Sequence, residues 1–281
     1  MKRAILFAHY DRDGIIDPYV IAALEEYRRF TDTLALISVS AKVLPPELQG
    51  VVDYFIARDN VGYDFGSWRV GLEAIGTLSD FDEIICVNDS VYGPLFDLDR
   101  AINNPRHRDA DFWGMTISDM NQVHVQSWFF AMRSKVIKSE IFRKFWSSSD
   151  RELSKKQIIA QNEIGLSAAL HDSSYHLAAV YDGRDKPLLT ATERTKHCFW
   201  NSPLQTLRYL KKTRSRKSPF NPSELFYNRL WESGVPFLKC RIFTKNYYGL
   251  CLPLLQAELY DLSPRWAELI ANHRRRVDRS D

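Results

Sequence analysis

Three short stretches gather the side chains best suited to chemistry, and each one follows an apolar run. His9-Tyr10-Asp11-Arg12-Asp13-Gly14 comes after residues 4–8, Asp59-Asn60-Val61-Gly62-Tyr63-Asp64-Phe65-Gly66 after Tyr54–Ala57, and Asn88-Asp89-Ser90-Val91-Tyr92-Gly93-Pro94 after residues 84–87. The first reads as an ordinary turn, because Asp and Gly are what turns require, or as a set of polar groups offered to a ligand. His9 is in the same position: a hydrogen-bonded loop residue, or a ligand contact. The second holds two glycines ahead of a helix. It is either a structural loop or a cradle whose backbone N–H groups and helix start receive an anion. Asp89, directly after a buried strand, is either a loop cap or a ligand for a hard cation.

These stretches need a scaffold, and the surrounding pattern supplies one. Residues 4–8 read as a buried strand, and Asp17-Pro18 as an N-cap with proline at the first helical position; Ile21, Leu24, Tyr27 and Arg28 continue at helical spacing. Residues 33–39 and 54–57 read as strands, 65–75 as a helix, and 83–87 as a short apolar run of the kind found in central parallel strands. Strands are expected over 110–116 and 124–132, with helices over 139–146 and 158–170. This alternation predicts an α/β fold, a mostly parallel sheet flanked by helices. In such a sheet ligands bind beyond the carboxyl ends of the strands, which is where all three polar stretches fall. Trp113, Trp128 and Phe129 on these strands suit core packing, with stacking on a sugar or base as the alternative.

The composition is that of a folded chain of enzyme size. Of 281 residues 45% are apolar and 26% charged, with 12 Gly and 12 Pro, which excludes disordered, collagen-like and coiled-coil chains. Cysteines at 86, 198, 240 and 251 lack zinc-type spacing or close pairing, and fit a reducing cytoplasm. Met1-Lys2-Arg3 ahead of five apolar residues is too short for a signal peptide, and no window reaches 18 uninterrupted apolar residues. The net charge of +3 conceals an asymmetry. Residues 200–281 hold 15 of the 38 basic and 7 of the 35 acidic residues, so this segment carries +8 and the rest −5. A basic run at 208–217 reads as a mobile hinge. Beyond it, Ser223 is expected to cap a helix through Leu225, Leu230 and Trp231 that ends at Gly234. The expected organisation is a body over 1–200 and a basic, partly helical extension over 201–281. The basic run and Arg274-Arg275-Arg276 suit either solvent or anionic lipid headgroups. Nucleic acid is not expected, since no recognition motif accompanies the charge and the body is acidic.

Five phrases together resemble a known family. They are Phe7-Ala8-His9-Tyr10-Asp11-Arg12-Asp13-Gly14-Ile15, Asn60-Val61-Gly62-Tyr63-Asp64-Phe65-Gly66-Ser67-Trp68, Asn88-Asp89-Ser90-Val91-Tyr92-Gly93-Pro94, Asp111-Phe112-Trp113-Gly114-Met115-Thr116 and Gln126-Ser127-Trp128-Phe129-Phe130. The chain is similar in these to the rhamnan synthesis protein F family of bacterial cell-surface polysaccharide biosynthesis. The likeness continues through Glu163-Ile164-Gly165-Leu166-Ser167, Asn221-Pro222 and Gly234-Val235-Pro236-Phe237-Leu238-Lys239, and departs from the family pattern at Ser223-Glu224.

The resemblance implies a GT-A-like glycosyltransferase that takes a nucleotide-sugar donor, with dTDP-rhamnose the donor by family association, and a glycan or lipid-linked glycan acceptor. It further implies that His9, Tyr10, Asp11, Asp13, Asn60, Gly62, Tyr63, Asp64, Asn88, Asp89 and Ser90 surround the donor. Asn88-Asp89-Ser90 stands where such folds usually carry Asp-x-Asp. Only its centre is a carboxylate, which still suits Mg²⁺ or Mn²⁺ held by one protein carboxylate and the substrate phosphates. Glu163 is the expected catalytic base by the same analogy, and its other reading is a helix-start acid favoured by the macrodipole. His124, Gln126 and Trp128 are candidates for acceptor contact. A single displacement assisted by one base implies inversion at the anomeric carbon. The expected location is cytoplasmic, peripheral on the inner face of the plasma membrane. Two other readings keep the fold: a non-catalytic carbohydrate-binding or polysaccharide-assembly module, and a nucleotidyltransferase.

Overall fold

Alternation of buried residues along the strands builds two cores, one on each face of a single sheet. The computed structural model describes residues 1–120, 122–147, 153–184, 202–213 and 221–279. Its eight-stranded sheet contains β1 (Arg3–His9), β2 (Thr33–Ser38), β3 (Tyr54–Ala57), β4 (Glu83–Asn88), β6 (Phe112–Ser118), β7 (His124–Val125), β8 (Phe129–Arg133) and β9 (Leu177–Asp182), ordered β3-β2-β1-β4-β8-β6-β7 with β9 also on β6. A two-stranded ribbon pairs β5 (Val91–Tyr92) with β10 (Leu238–Lys239). β3, β2, β1 and β4 run parallel, β8 is antiparallel to both β4 and β6, and β9 is parallel to β6. The expected mostly parallel, helix-flanked α/β sheet is present.

The period-two pattern explains the layers. Ile5, Phe7, Leu34, Leu36, Ile85 and Val87 face one core, which α1 (Pro18–Arg28) covers with Val20, Ala23, Leu24 and Tyr27 at helical spacing. Ala4, Leu6, Ala8, Ala35, Ile37, Ile84 and Cys86 face the other, covered by Phe65, Trp68 and Leu72 of α2 (Tyr63–Ala74). Trp68 is fully buried, and its indole N–H donates to the Val87 carbonyl at 3.0 Å, so its polar atom is satisfied inside the core.

The chain beyond residue 220 belongs to the same core as the body. Leu225, Phe237, Leu255, Leu259, Trp266 and Ile270 join the cluster of Ile5 and Phe7, and the Pro264–Arg279 helix packs on α1. Of the expected 208–217 hinge, residues 208–213 belong to the Pro203–Thr213 helix, and the remainder lies outside the described residues. Cys86, Cys240 and Cys251 are free thiols, and Cys198 lies outside the described residues. Among the described residues no helix is long and apolar enough to cross a membrane.

Three local expectations need correction. The strand expected over 124–132 is two strands, because the Ser127 N–H leaves the ladder to meet the Glu163 carboxylate at 2.9 Å. The cap before Pro222 is Asn221, whose side chain accepts the Ser223 N–H at 3.0 Å; Ser223 turns instead to Gln126 and Trp128, and the helix breaks at Phe226. Glu163 is not at a helix start. It lies late in a π turn, Ile159–Ile164, inside a helical stretch from Lys155 to Asp172, so the macrodipole does not account for it.

Candidate active site

Strand order reverses at β1. From β1 the chain winds outward through β2 to β3, and β4 returns on the other side of β1, which opens a crevice beyond the carboxyl ends of β1 and β4. The three polar stretches meet at that crevice. The Tyr10 N–H donates to Asp89 Oδ2 at 2.6 Å, joining the loop after β1 to the loop after β4. Asn88 Nδ2 donates to Asp64 Oδ2 at 2.8 Å, joining the second loop to the third. Asn88 Oδ1 accepts from both the N–H and the hydroxyl of Ser90, and the Tyr19 hydroxyl donates to the Asp89 carbonyl at 3.2 Å.

Backbone geometry explains the glycines of the second loop. Gly62 caps α2 with φ 77°, a left-handed conformation that L side chains rarely take. A Cβ on Gly66 would fall 2.0 Å from the Val61 carbonyl oxygen. Arg58 braces the turn, donating to Val61 O at 2.5 Å and to Ser67 Oγ at 3.0 Å. Asn60 and Tyr63 stand exposed on the rim, as does Tyr10, while Asp64 is half-buried and points at Asn88.

Burial pushes the Asp89 carboxyl well above the usual carboxylate range, and the Asp64 charge pushes it further; the Tyr10 amide opposes both. Two carboxylates that repel across a crevice, with backbone and amide donors already fixed, are a fitting donor set for a hard divalent cation completed by substrate phosphates. Among the described residues neither of them belongs to a group of three His, Cys, Asp or Glu with ligand atoms at metal-binding distance.

The structure places the β1 residues in two settings. His9 is 3% exposed under the loop, with Nδ1 2.9 Å from Ser38 Oγ, and burial lowers its pKa to about 4. Asp11 and Asp13 turn to Arg276 of the C-terminal helix, whose guanidinium also meets Asp17. Burial raises Asp11, but the Ile15 amide and Arg276 outweigh it and hold the carboxyl below its ordinary value. Asp11, Asp17 and His273 present ligand atoms within 4.8 Å of one another, a spacing that suits a metal. The Arg276 guanidinium already supplies the positive charge there. His273 Nδ1 is 2.7 Å from the Tyr92 hydroxyl, which ties the same helix to β5. The Arg274-Arg275-Arg276 run is therefore not one lipid-facing patch. Arg274 lies over the Phe243 ring, Arg276 faces the aspartates, and Arg275 is exposed.

Glu163 occupies the far side of the site. Its Oε1 accepts the Ser127 N–H and lies 3.8 Å from His124 Nε2. His124 and Gln126 are buried: His124 Nδ1 is 2.8 Å from the Gln122 carbonyl, while the Gln126 amide donates to Asn221 and accepts from Trp128 and Ser223. Trp128 packs edge-on against Phe237. Between these groups and the Asn88–Ser90 loop stands Lys239, its Nζ donating to Ser90 Oγ at 2.9 Å and lying 5.1 Å from the centre of the Trp128 ring. Burial lowers its pKa to about 8, against the opposing pull of Glu163, Glu224 and Asp64.

Lys239 and Arg276 meet the polar loops, Lys239 at Ser90 and Arg276 at Asp11 and Asp13, and sequence reasoning placed neither of them there. Lys239 arrives through the antiparallel pairing of β10 with β5, and its hydrogen bond to Ser90 spans 149 residues, a contact that no local pattern announces. Arg276 did leave a signal. Trp266, Ile270 and His273 recur at helical spacing, which marks a buried face of the helix that carries it.

The virulence protein VirA of Vibrio anguillarum is 25% identical over 258 residues, 88% of this chain and 81% of its own. An uncharacterized protein, y4gN, of Sinorhizobium fredii is 27% identical over 161 residues, 54% of this chain and 42% of that one. A mannosyltransferase from Pyrobaculum calidifontis, solved with GDP-Man and Mn²⁺, superposes with a TM-score of 0.39 and 9% identity over 97% of this chain and 79% of its own. A superposition that loose assigns no role to any residue here. The model for rhamnan synthesis protein F matches residues 38–194, which span the second and third polar loops, Gln126, Trp128 and Glu163 and make up more than half of the chain; the protein belongs to the rhamnan synthesis protein F family.

Proposed function

We propose that the protein is a glycosyltransferase that takes a sugar from a nucleoside diphosphate at the crevice between β1 and β4. The observation that carries this reading is the tie from Tyr10 to Asp89 and from Asn88 to Asp64, which gathers three remote loops around two carboxylates. Departure of a nucleoside diphosphate builds negative charge on the leaving group while positive charge grows on the anomeric carbon. A divalent cation held by Asp89, Mg²⁺ or Mn²⁺, offsets the first when bound. Asn88, Ser90, Gly62 and Asp64 shape the wall around the donor. Asn60, Tyr63 and Tyr10 form its outer rim.

Glu163 is the group placed to receive the proton of an acceptor hydroxyl. One of its oxygens already accepts the Ser127 amide, which fixes the carboxylate's direction. A positioned base of this kind contributes about 10²–10⁴-fold in rate. One base and no second carboxylate acting as nucleophile correspond to a single displacement with inversion. The donor proposed is dTDP-rhamnose and the acceptor a growing glycan, free or lipid-linked. Exposed Leu204, Leu207 and Leu210 on the Pro203–Thr213 helix, beside exposed Lys211, support peripheral contact with an anionic membrane surface on the cytoplasmic side.

A thermal-shift screen of dTDP-rhamnose, UDP-, GDP- and CMP-sugars, with and without Mn²⁺ or Mg²⁺, tests the reading. A donor that raises the melting temperature only with metal, and is then consumed in the presence of acceptor, supports it. Binding of oligosaccharide with no donor ever consumed favours a carbohydrate-binding module, and pyrophosphate release from a nucleoside triphosphate favours nucleotidyl transfer.

A further inference from the structure

We infer that Lys239 is the protein's own binding group for the diphosphate of the donor, a fixed ammonium that works beside the cation at Asp89. This rests on the transferase reading above and adds to it a residue brought in from the far end of the chain. Lys239 is anchored on both sides. Its backbone pairs with Val91, and the next N–H, that of Cys240, donates to the Ser90 carbonyl at 3.0 Å. Its side chain lies against the Trp128 ring and donates to Ser90 Oγ. An ammonium has three donors, and among the described residues Ser90 is the hydrogen-bond acceptor it uses. No carboxylate among the described residues comes within ion-pair distance of it, although Glu163, Glu224 and Asp64 all act on it from further away.

The charge balance says what such a group is for. The crevice presents Asp64, Asp89 and Glu163, while Glu224 behind them is paired with Arg241 at 3.7 Å, and a diphosphate brings more than one further negative charge. One divalent cation at Asp89 does not offset all of these. The ammonium of this half-buried lysine, with donors beyond the one given to Ser90 and one residue from the proposed metal ligand along the Asp89-Ser90 bond, supplies a second positive charge on the side facing Glu163. Lysine suits the position because it binds phosphate as a point charge and needs no forked geometry.

The test is titration calorimetry of the 281-residue chain with inorganic pyrophosphate, UDP, GDP, CDP and dTDP, each with and without Mn²⁺, on wild type, Lys239→Met, Lys239→Gln and Lys239→Arg. Variants count only if they melt within about 3 °C of wild type, the scale on which surface-type changes leave stability intact. Wild type should bind one of the diphosphates. Both neutral variants should then weaken diphosphate and pyrophosphate about tenfold or more, roughly 1.4 kcal/mol, while the matching nucleoside without phosphates is unaffected and Lys239→Arg retains most of the affinity. Neutral variants that bind diphosphate within twofold of wild type overturn the role of Lys239 and leave the transferase reading standing. Wild type that binds none of the nucleotides under any metal condition overturns the transferase reading itself.

Discussion

Replacing Arg276 by methionine should loosen the loop after β1, and its size can be worked from the contacts. The guanidinium donates to Asp13 at 2.6 Å and also meets Asp11 and Asp17; Asp17 is 5% exposed. Methionine keeps much of the volume and removes the charge, which leaves three aspartates facing one another. Breaking a buried pair this way costs about 3–5 kcal/mol. Part of this cluster is in water, with the Asp13 side chain 37% and that of Arg276 23% exposed, so screening reduces the figure to roughly 2–3 kcal/mol. For a chain of this length that lowers the melting temperature by about 4–10 °C. The pH dependence follows from Asp11. Its folded pKa lies below its ordinary value, so its stabilisation is present above that ordinary value and is lost as pH falls through the folded one. Urea unfolding of wild type and Arg276→Met at pH 7, 5 and 3 should show a gap that is full at the first two and shrinks at the last. A melting change under 1 °C at pH 7, or a gap that does not shrink at pH 3, refutes this reasoning. A double-mutant cycle with Asp11→Asn should return a coupling of about 1–2 kcal/mol.

Three further outcomes are expected. His9, with its pKa lowered to about 4 by burial, stays neutral in the fold while the unfolded chain binds a proton near 6.5, so stability should fall by up to about 3 kcal/mol as pH drops from 6.5 to 4. His9→Gln should flatten that slope in urea unfolding, and an unchanged slope would assign the acid sensitivity elsewhere. Glu163→Gln keeps an oxygen for the Ser127 amide, so donor binding should persist while donor consumption falls by about 10²–10⁴-fold; unimpaired turnover removes Glu163 as the base. Asp89→Asn retains an acceptor for the Tyr10 amide and relieves the repulsion from Asp64, so without metal it should melt at or above the wild-type temperature, by roughly 0.5–2 kcal/mol. A clear loss of stability would mean that Asp89 is a structural cap.

The sequence displayed the sheet because its strands are short apolar runs with polar stretches at their carboxyl ends. Residues 54–57 are read as a strand at the observed bounds, and the helix expected over 65–75 is present but starts two residues earlier, at Tyr63, so that Asp64 and Gly66 fall in its first turn. What it concealed depends on contacts between distant segments. The split of residues 124–132 depends on a carboxylate 36 residues away, which no alternation pattern encodes. Asp11 and Asp13 looked free to meet a ligand because their partner, Arg276, lies more than 260 residues later in a run that reads as solvated charge. Ser223 carried the expected capping chemistry, yet Asn221 two residues earlier took the role, since Pro222 fits the first helical position and the Ser223 hydroxyl is drawn to the buried Gln126. β9 was not assigned from the sequence, although Asp172-Ser173-Ser174 and Asp182-Gly183 bound its apolar run, and its partner β6 lies some 65 residues earlier.

The central claim is that Asp89, set by the Tyr10 amide at the mouth of the β1–β4 crevice, holds a cation against the diphosphate of a sugar donor. Its most direct measurement is the melting temperature of wild type and Asp89→Asn with Mn²⁺ and a panel of nucleoside diphosphates, alone and combined. Wild type should show a rise that needs both metal and nucleotide, and the rise should vanish in Asp89→Asn. An equal rise in both proteins, or none in wild type with any pairing, contradicts it.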